Sequence, residues 1–128
     1  MVSDPARILI IDDDPFIKML AEFILRKRGY QVRIAAHGRQ GQEEIATGPR
    51  YDLIVLDLMM PEMDGMAFLR WLRGEAHLTT PVLVQTGMGP MDMEQRVLAA
   101  GADDLIHKPY DDAALVAKVE ALLARNHP

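Results

Sequence analysis

The chain has 128 residues, 49% hydrophobic and 26% charged, a length and balance that suit a single domain, residues 1–128, with a proper core. Its formal net charge is -5 and no block of lysine or arginine stands out, which disfavours direct nucleic-acid binding by this chain. With no cysteine, disulfides, thiol nucleophiles and cysteine metal sites are excluded.

The opening MVSDPAR carries no apolar signal core, and the runs ILII and LIVL are far too short to span a bilayer. A cytoplasmic location without membrane contact is therefore expected. Five apolar runs alternate with helix-length segments. RILIID (Arg7–Asp12) precedes a helix predicted over Pro15–Arg28, which stops at Gly29. QVRIAA (Gln31–Ala36) precedes a second, Gly38–Thr47, ended by Gly48 and Pro49. LIVLDL, starting at Leu53, precedes a third over Asp64–Arg73, with Phe68, Leu69, Trp71 and Leu72 on or near its apolar face. PVLVQ (Pro81–Gln85) precedes a Gly- and Met-rich loop and a short helix ending near Ala100. DLIH (Asp104–His107) precedes the last helix, Asp111–Arg125. Such alternation implies right-handed crossovers and a doubly wound parallel α/β sheet covered on both faces. The second strand is the most polar and suits an edge.

In sheets of this kind the site lies at the carboxyl ends of the strands. Asp12 and Asp13 fall there on the first strand, Asp57 on the third, Thr86 on the fourth and Lys108 on the fifth. Asp52 does not: five residues upstream of Asp57, it lies roughly 16 Å away at ~3.3 Å per residue and reads as a solvated strand start. Three converging carboxylates repel one another unless a cation sits between them. Mg2+ suits such a set, because it takes one or two carboxylates, keeps waters and accepts a phosphate oxygen. Lys108 and Thr86 would then meet that phosphate with a charge and a hydroxyl, and Asp57 would be its nucleophile. Taken singly, each group has a plainer role. Asp14 before Pro15 reads as a helix N-cap, and Asp64 and Asp92 also read as caps. It is the convergence that favours a site.

The stretches ILIIDDDP, DLIVLDLMMPEMDG, VLVQTG and GADDLIHKP stand in this order along the chain. Through them it resembles the receiver domain of two-component response regulators over essentially its whole length. The resemblance implies a flavodoxin-like (βα)5 fold with strand order 2-1-3-4-5. It implies that Asp57 is the phosphoacceptor, and that Asp12, Asp13, Asp57 and the main-chain carbonyl of Met59 hold Mg2+. Thr86 matches the hydroxyl that follows the phosphoryl group, with Gly87 leaving room for a backbone N–H. Lys108 matches the family's lysine, and the peptide before Pro109 is expected to be cis. The phosphoryl donor would be a sensor histidine kinase or a histidine phosphotransfer protein. The output would be a contact with a downstream protein rather than turnover of a substrate.

Two departures carry expectations of their own. Leu105 stands where the family usually has an aromatic rotameric switch, which implies altered coupling between the phosphate and the distant surface. Met59 and Met88 stand where side chains influence water access to the acyl phosphate; apolar residues there would shield it, or merely fill gaps. Met88, Met91 and Met93 would suit an adaptable partner surface, or equally lie buried against the sheet. Three rivals remain. An aspartyl-phosphate phosphatase of the haloacid dehalogenase type would want an acid where Met59 stands. A flavin or nucleotide module would want a phosphate-binding loop where DDDPF stands. A degenerate receiver acting only as a scaffold would not need the intact Asp57, Thr86 and Lys108.

Overall fold

In the computed structural model, which describes residues 5–58, 65–87 and 91–125, the apolar runs form five parallel strands. They are β1 (Arg7–Ile11), β2 (Gln31–Ala35), β3 (Leu53–Asp57), β4 (Val82–Thr86) and β5 (Asp104–His107), in the order β2-β1-β3-β4-β5. Between and after them run α1 (Pro15–Lys27), α2 (Gly38–Thr47), α3 (Gly65–Gly74), α4 (Met91–Ala99) and α5 (Asp112–Arg125). Strand side chains alternate between two faces, and each face has its own core. Ile8, Ile10, Leu53, Val55 and Leu83 pack with Ala21, Ile24 and Leu25 of α1 and with Leu115, Val119 and Leu122 of α5. Leu9, Ile11, Ile54, Leu56, Val82 and Val84 pack with Phe68, Leu69 and Leu72 of α3 and Val97 of α4. The central strands are therefore apolar on both sides, whereas β2, at the edge, has exposed Gln31 and Arg33.

Helix ends follow local chemistry. Asp14 Oδ1 accepts from the N–H groups of Phe16 (2.9 Å) and Ile17 (3.1 Å), so it is the N-cap of α1, with Pro15 in the first turn. Those bonds, chiefly that from Ile17, hold its carboxyl below the usual range. At the other end the chain leaves α1 through Gly29, whose φ of 94° favours glycine. Asp111, expected inside α5, instead precedes it, and its Oδ1 accepts from Ala114 N–H at 2.8 Å. Asp12, expected within β1, lies one residue past it, although its N–H still donates to Ala35 O at 3.1 Å.

Asp52 is not simply solvated. Its Oδ2 accepts from Arg7 N–H at 2.8 Å while its own N–H donates to Arg7 O at 2.8 Å, so it ties the first residue of β1 to the loop before β3. Arg73, in the last turn of α3, is likewise a tie rather than a free surface charge. Its guanidinium donates to the carbonyls of Gly101, Leu78 and Thr80 and to Asp103 Oδ2, which also accepts from Val82 N–H. One side chain thus joins α3, the start of β4 and the loop before β5. Among the described residues, no helix is long and apolar enough to cross a membrane.

Candidate functional site

The register of the sheet assembles the site. Ile11 pairs with Leu56, so Asp12, the next residue, stands beside Asp57; Asp57 pairs with Gln85, and Thr86 with His107. Asp12, Asp57, Thr86 and Lys108 therefore share the carboxyl edge of four neighbouring strands, β1, β3, β4 and β5. One carboxylate oxygen from each of Asp12, Asp13 and Asp57 can lie within 4.8 Å of the others. Asp12 is fully buried and Asp57 nearly so, while Asp13 is exposed. Lys108 reaches in from the end of β5, its Nζ 3.3 Å from Asp57 Oδ1 and 3.7 Å from Asp12 Oδ2. The backbone places it, since Lys108 N–H donates to Thr86 O at 2.8 Å, and the Lys108–Pro109 peptide is cis as expected. The Thr86 hydroxyl donates to Gly87 O at 3.2 Å.

Three carboxylates and one ammonium leave a net negative charge among these four side chains at neutral pH. Burial makes that charge costly, because a low-dielectric surrounding magnifies repulsion. A hard, oxygen-seeking divalent cation fits the donor set, and one buried, one nearly buried and one exposed carboxylate would let it keep solvent ligands. Met59, whose carbonyl was expected to complete the set, lies outside the described residues, as do Asp64 and Met88.

Two contributors were not singled out from the sequence. Gln85 is fully buried in an otherwise apolar strand; its Nε2 donates to Asp12 Oδ2 at 3.2 Å, and its Oε1 accepts from the Tyr110 hydroxyl at 2.6 Å. Burial, with the nearby Asp12 and Asp57 charges, raises the Tyr110 phenol's pKa well above its ordinary value. Gly65 is the other. A Cβ there would sit 2.7 Å from Asp57 O and 2.8 Å from Leu58 Cα, so α3 begins pressed against the backbone that carries Asp57. Backbone atoms yield poorly, and Gly65→Ala is expected to lower stability by about 1–3 kcal/mol in urea unfolding. It should also disturb metal binding. An unchanged midpoint would mean that the close approach is not a constraint.

The family profile of the response regulator receiver domain matches residues 8–120. The chain belongs to that family. This receiver is 42% identical over 120 residues to the DNA-binding dual master transcriptional regulator RpaA of Synechocystis sp., covering 93% of this chain and 49% of RpaA. The receiver domain of the Francisella response regulator 1452 superposes with a TM-score of 0.89 at 30% identity, covering 95% of this chain and 99% of that one. The signal receiver domain of a signal transduction histidine kinase from Syntrophus aciditrophicus gives 0.86 at 38% identity, with 94% and 92% covered. The chain spans about half the length of the curated relatives it matches. Its sheet order, five helices and acidic edge are those of a receiver, the phosphoryl-accepting module of two-component signalling.

Leu105, at the usual aromatic position, is half-buried and packs against the core on the α3 and α4 side of the sheet. It fills that place as a plain apolar side chain, with no hydroxyl to present to a partner.

Proposed function

We propose that Asp57 accepts a phosphoryl group from a phosphohistidine, and that the resulting charge switches a protein-binding surface. The observation that carries this reading is the ammonium of Lys108, 3.3 Å from Asp57, in a pocket of three mutually close carboxylates. An Asp57 carboxylate oxygen attacks phosphorus, the P–N bond to the donor imidazole breaks, and its electron pair leaves with the ring, which takes up a proton. The product is an acyl phosphate on Asp57. Asp12, Asp13, Asp57 and the Met59 carbonyl would hold Mg2+, which when bound neutralises charge on the transferring group. Lys108 would share that work, its ammonium already 3.3 Å from Asp57 before the donor arrives. The Thr86 hydroxyl exchanges its Gly87 carbonyl for a phosphoryl oxygen, drawing the end of β4 inward. Leu105 leaves Thr86 and the loop after it to pass the change on. The chain is a switch and not a turnover enzyme.

The donor is a sensor histidine kinase or a histidine phosphotransfer protein. Support for such a partner lies on α1, where Phe16 (71% exposed), Met19 (66%) and Phe23 (63%) are spaced as one helical stripe. The stripe begins two residues after the Asp14 cap, so an apolar helix seated on it would present a histidine close to Asp57.

Incubation with Mg2+ and acetyl phosphate, read by intact mass, tests the reading. The expected result is a gain of one phosphoryl group that requires Mg2+ and is absent in Asp57→Asn. If the cognate kinase also fails to produce a gain, the proposal is wrong.

A further inference from the structure

We infer that Gln85 is a positioning residue for Mg2+ binding, with Tyr110 anchoring the other end of its amide; this rests on the function proposed above. A glutamine inside an apolar strand is costly unless both ends of its amide are paired. Here both are. Tyr110 contributes a single O–H, which donates to Gln85 Oε1 at 2.6 Å. That bond leaves the amide NH2 facing Asp12, where it donates to Oδ2 at 3.2 Å. The reverse amide would set oxygen against carboxylate oxygen and leave the phenol facing an NH2. The acceptor-only Asp12 carboxylate thus sets which end of Gln85 it meets, and Tyr110, on the far side of β4, anchors the other end of the amide.

Asp12 is held at both oxygens. Oδ1 accepts from Asp14 N–H at 2.8 Å, and Oδ2 accepts from Gln85 with Lys108 Nζ 3.7 Å away. The Asp14 bond and the Gln85 bond fix the plane of a fully buried carboxylate, and so fix which lone pairs face Asp13 and Asp57. Metal-ligating carboxylates depend on such partners: losing one typically weakens metal binding by about 10- to 100-fold.

The test is calorimetric titration of Mg2+ into the whole chain and into Gln85→Met, which keeps an unbranched stem of similar volume but carries no amide. Gln85→Met is expected to raise the Mg2+ dissociation constant by about tenfold or more. Tyr110→Phe should raise it in the same direction, and the double variant should be no weaker than Gln85→Met. The Mg2+ concentration for half-maximal phosphorylation by acetyl phosphate should rise in parallel, with the rate at saturating Mg2+ kept within about twofold, a split that a merely structural role would not produce. A dissociation constant that is unchanged or lowered in both single variants would overturn the inference while leaving the proposed function standing. If the unsubstituted chain bound no Mg2+, the two would fall together. Should Gln85→Met not fold, Tyr110→Phe decides alone, because it frees the Oε1 end of the amide and keeps the ring.

Discussion

Replacing Lys108 by methionine is expected to slow Mg2+-dependent phosphoryl uptake by about 100-fold, the usual scale for removing one pre-positioned charge donor from a transition state. The side chain is 20% exposed and lies within 4 Å of both Asp57 and Asp12, so little water screens it. Its root is fixed by the N–H bond to Thr86 O, and the ammonium need not be reorganised when charge builds on the phosphoryl oxygens. Methionine keeps an unbranched stem and should leave the fold intact. Without metal, however, the variant confronts three carboxylates with no ammonium among them. Its thermal midpoint in EDTA should therefore fall, and Mg2+ should raise that midpoint by more than in the unsubstituted chain. A time course of intact mass with acetyl phosphate gives the rate, and a change of less than threefold would remove Lys108 from the chemistry.

The second large effect is structural. Arg73→Ala is expected to lower the stability by about 3 kcal/mol, as breaking a largely buried ion pair does. For a chain of this size that corresponds to a fall of roughly 10 °C in thermal midpoint. The guanidinium and its Asp103 partner are 22% and 27% exposed, and the loss strands the Gly101 carbonyl along with the Asp103 carboxylate. Asp103 would still accept from Val82 N–H, which limits the damage. Arg73→Lys should recover only a minor part, because an ammonium cannot span four acceptors as a planar fork does. Calorimetric melting measures the difference. A fall of less than about 3 °C would show that the network is redundant with the apolar packing of α3.

The architecture was legible because its signals are local. Runs such as ILII and LIVL between amphipathic segments read as covered strands, and the more polar QVRIAA suited an edge; all three form strands, the last at the edge of the sheet. Asp12, Asp13, Asp57, Thr86 and Lys108 could be placed on one edge because each ends or follows a strand, and parallel strands bring those ends together. What escaped were groups whose partners are distant in sequence. Arg73 stood in the sequence only as the end of the third predicted helix, yet its acceptors include Gly101 and Asp103 across another helix. Asp52 looked like a solvated polar start, yet it holds Arg7 N–H, 45 positions away. Gln85 was legible only as the end of a strand. That it bridges Asp12 and Tyr110 depends on the order of β1, β3, β4 and β5, which the glutamine itself does not encode. Strand and helix ends shifted by a residue where a side chain took over from the backbone, as at Asp111.

The most direct measurement locates the phosphoryl group. The chain is phosphorylated with acetyl phosphate and Mg2+ and reduced at once with borohydride, which converts an aspartyl phosphate to homoserine. Peptide mass spectrometry then reads every acidic position. Homoserine at residue 57 alone, with Asp12 and Asp13 unchanged, is the expected result. Homoserine at another aspartate, or a stable phosphoester on Thr86 in its place, would contradict Asp57 as the acceptor.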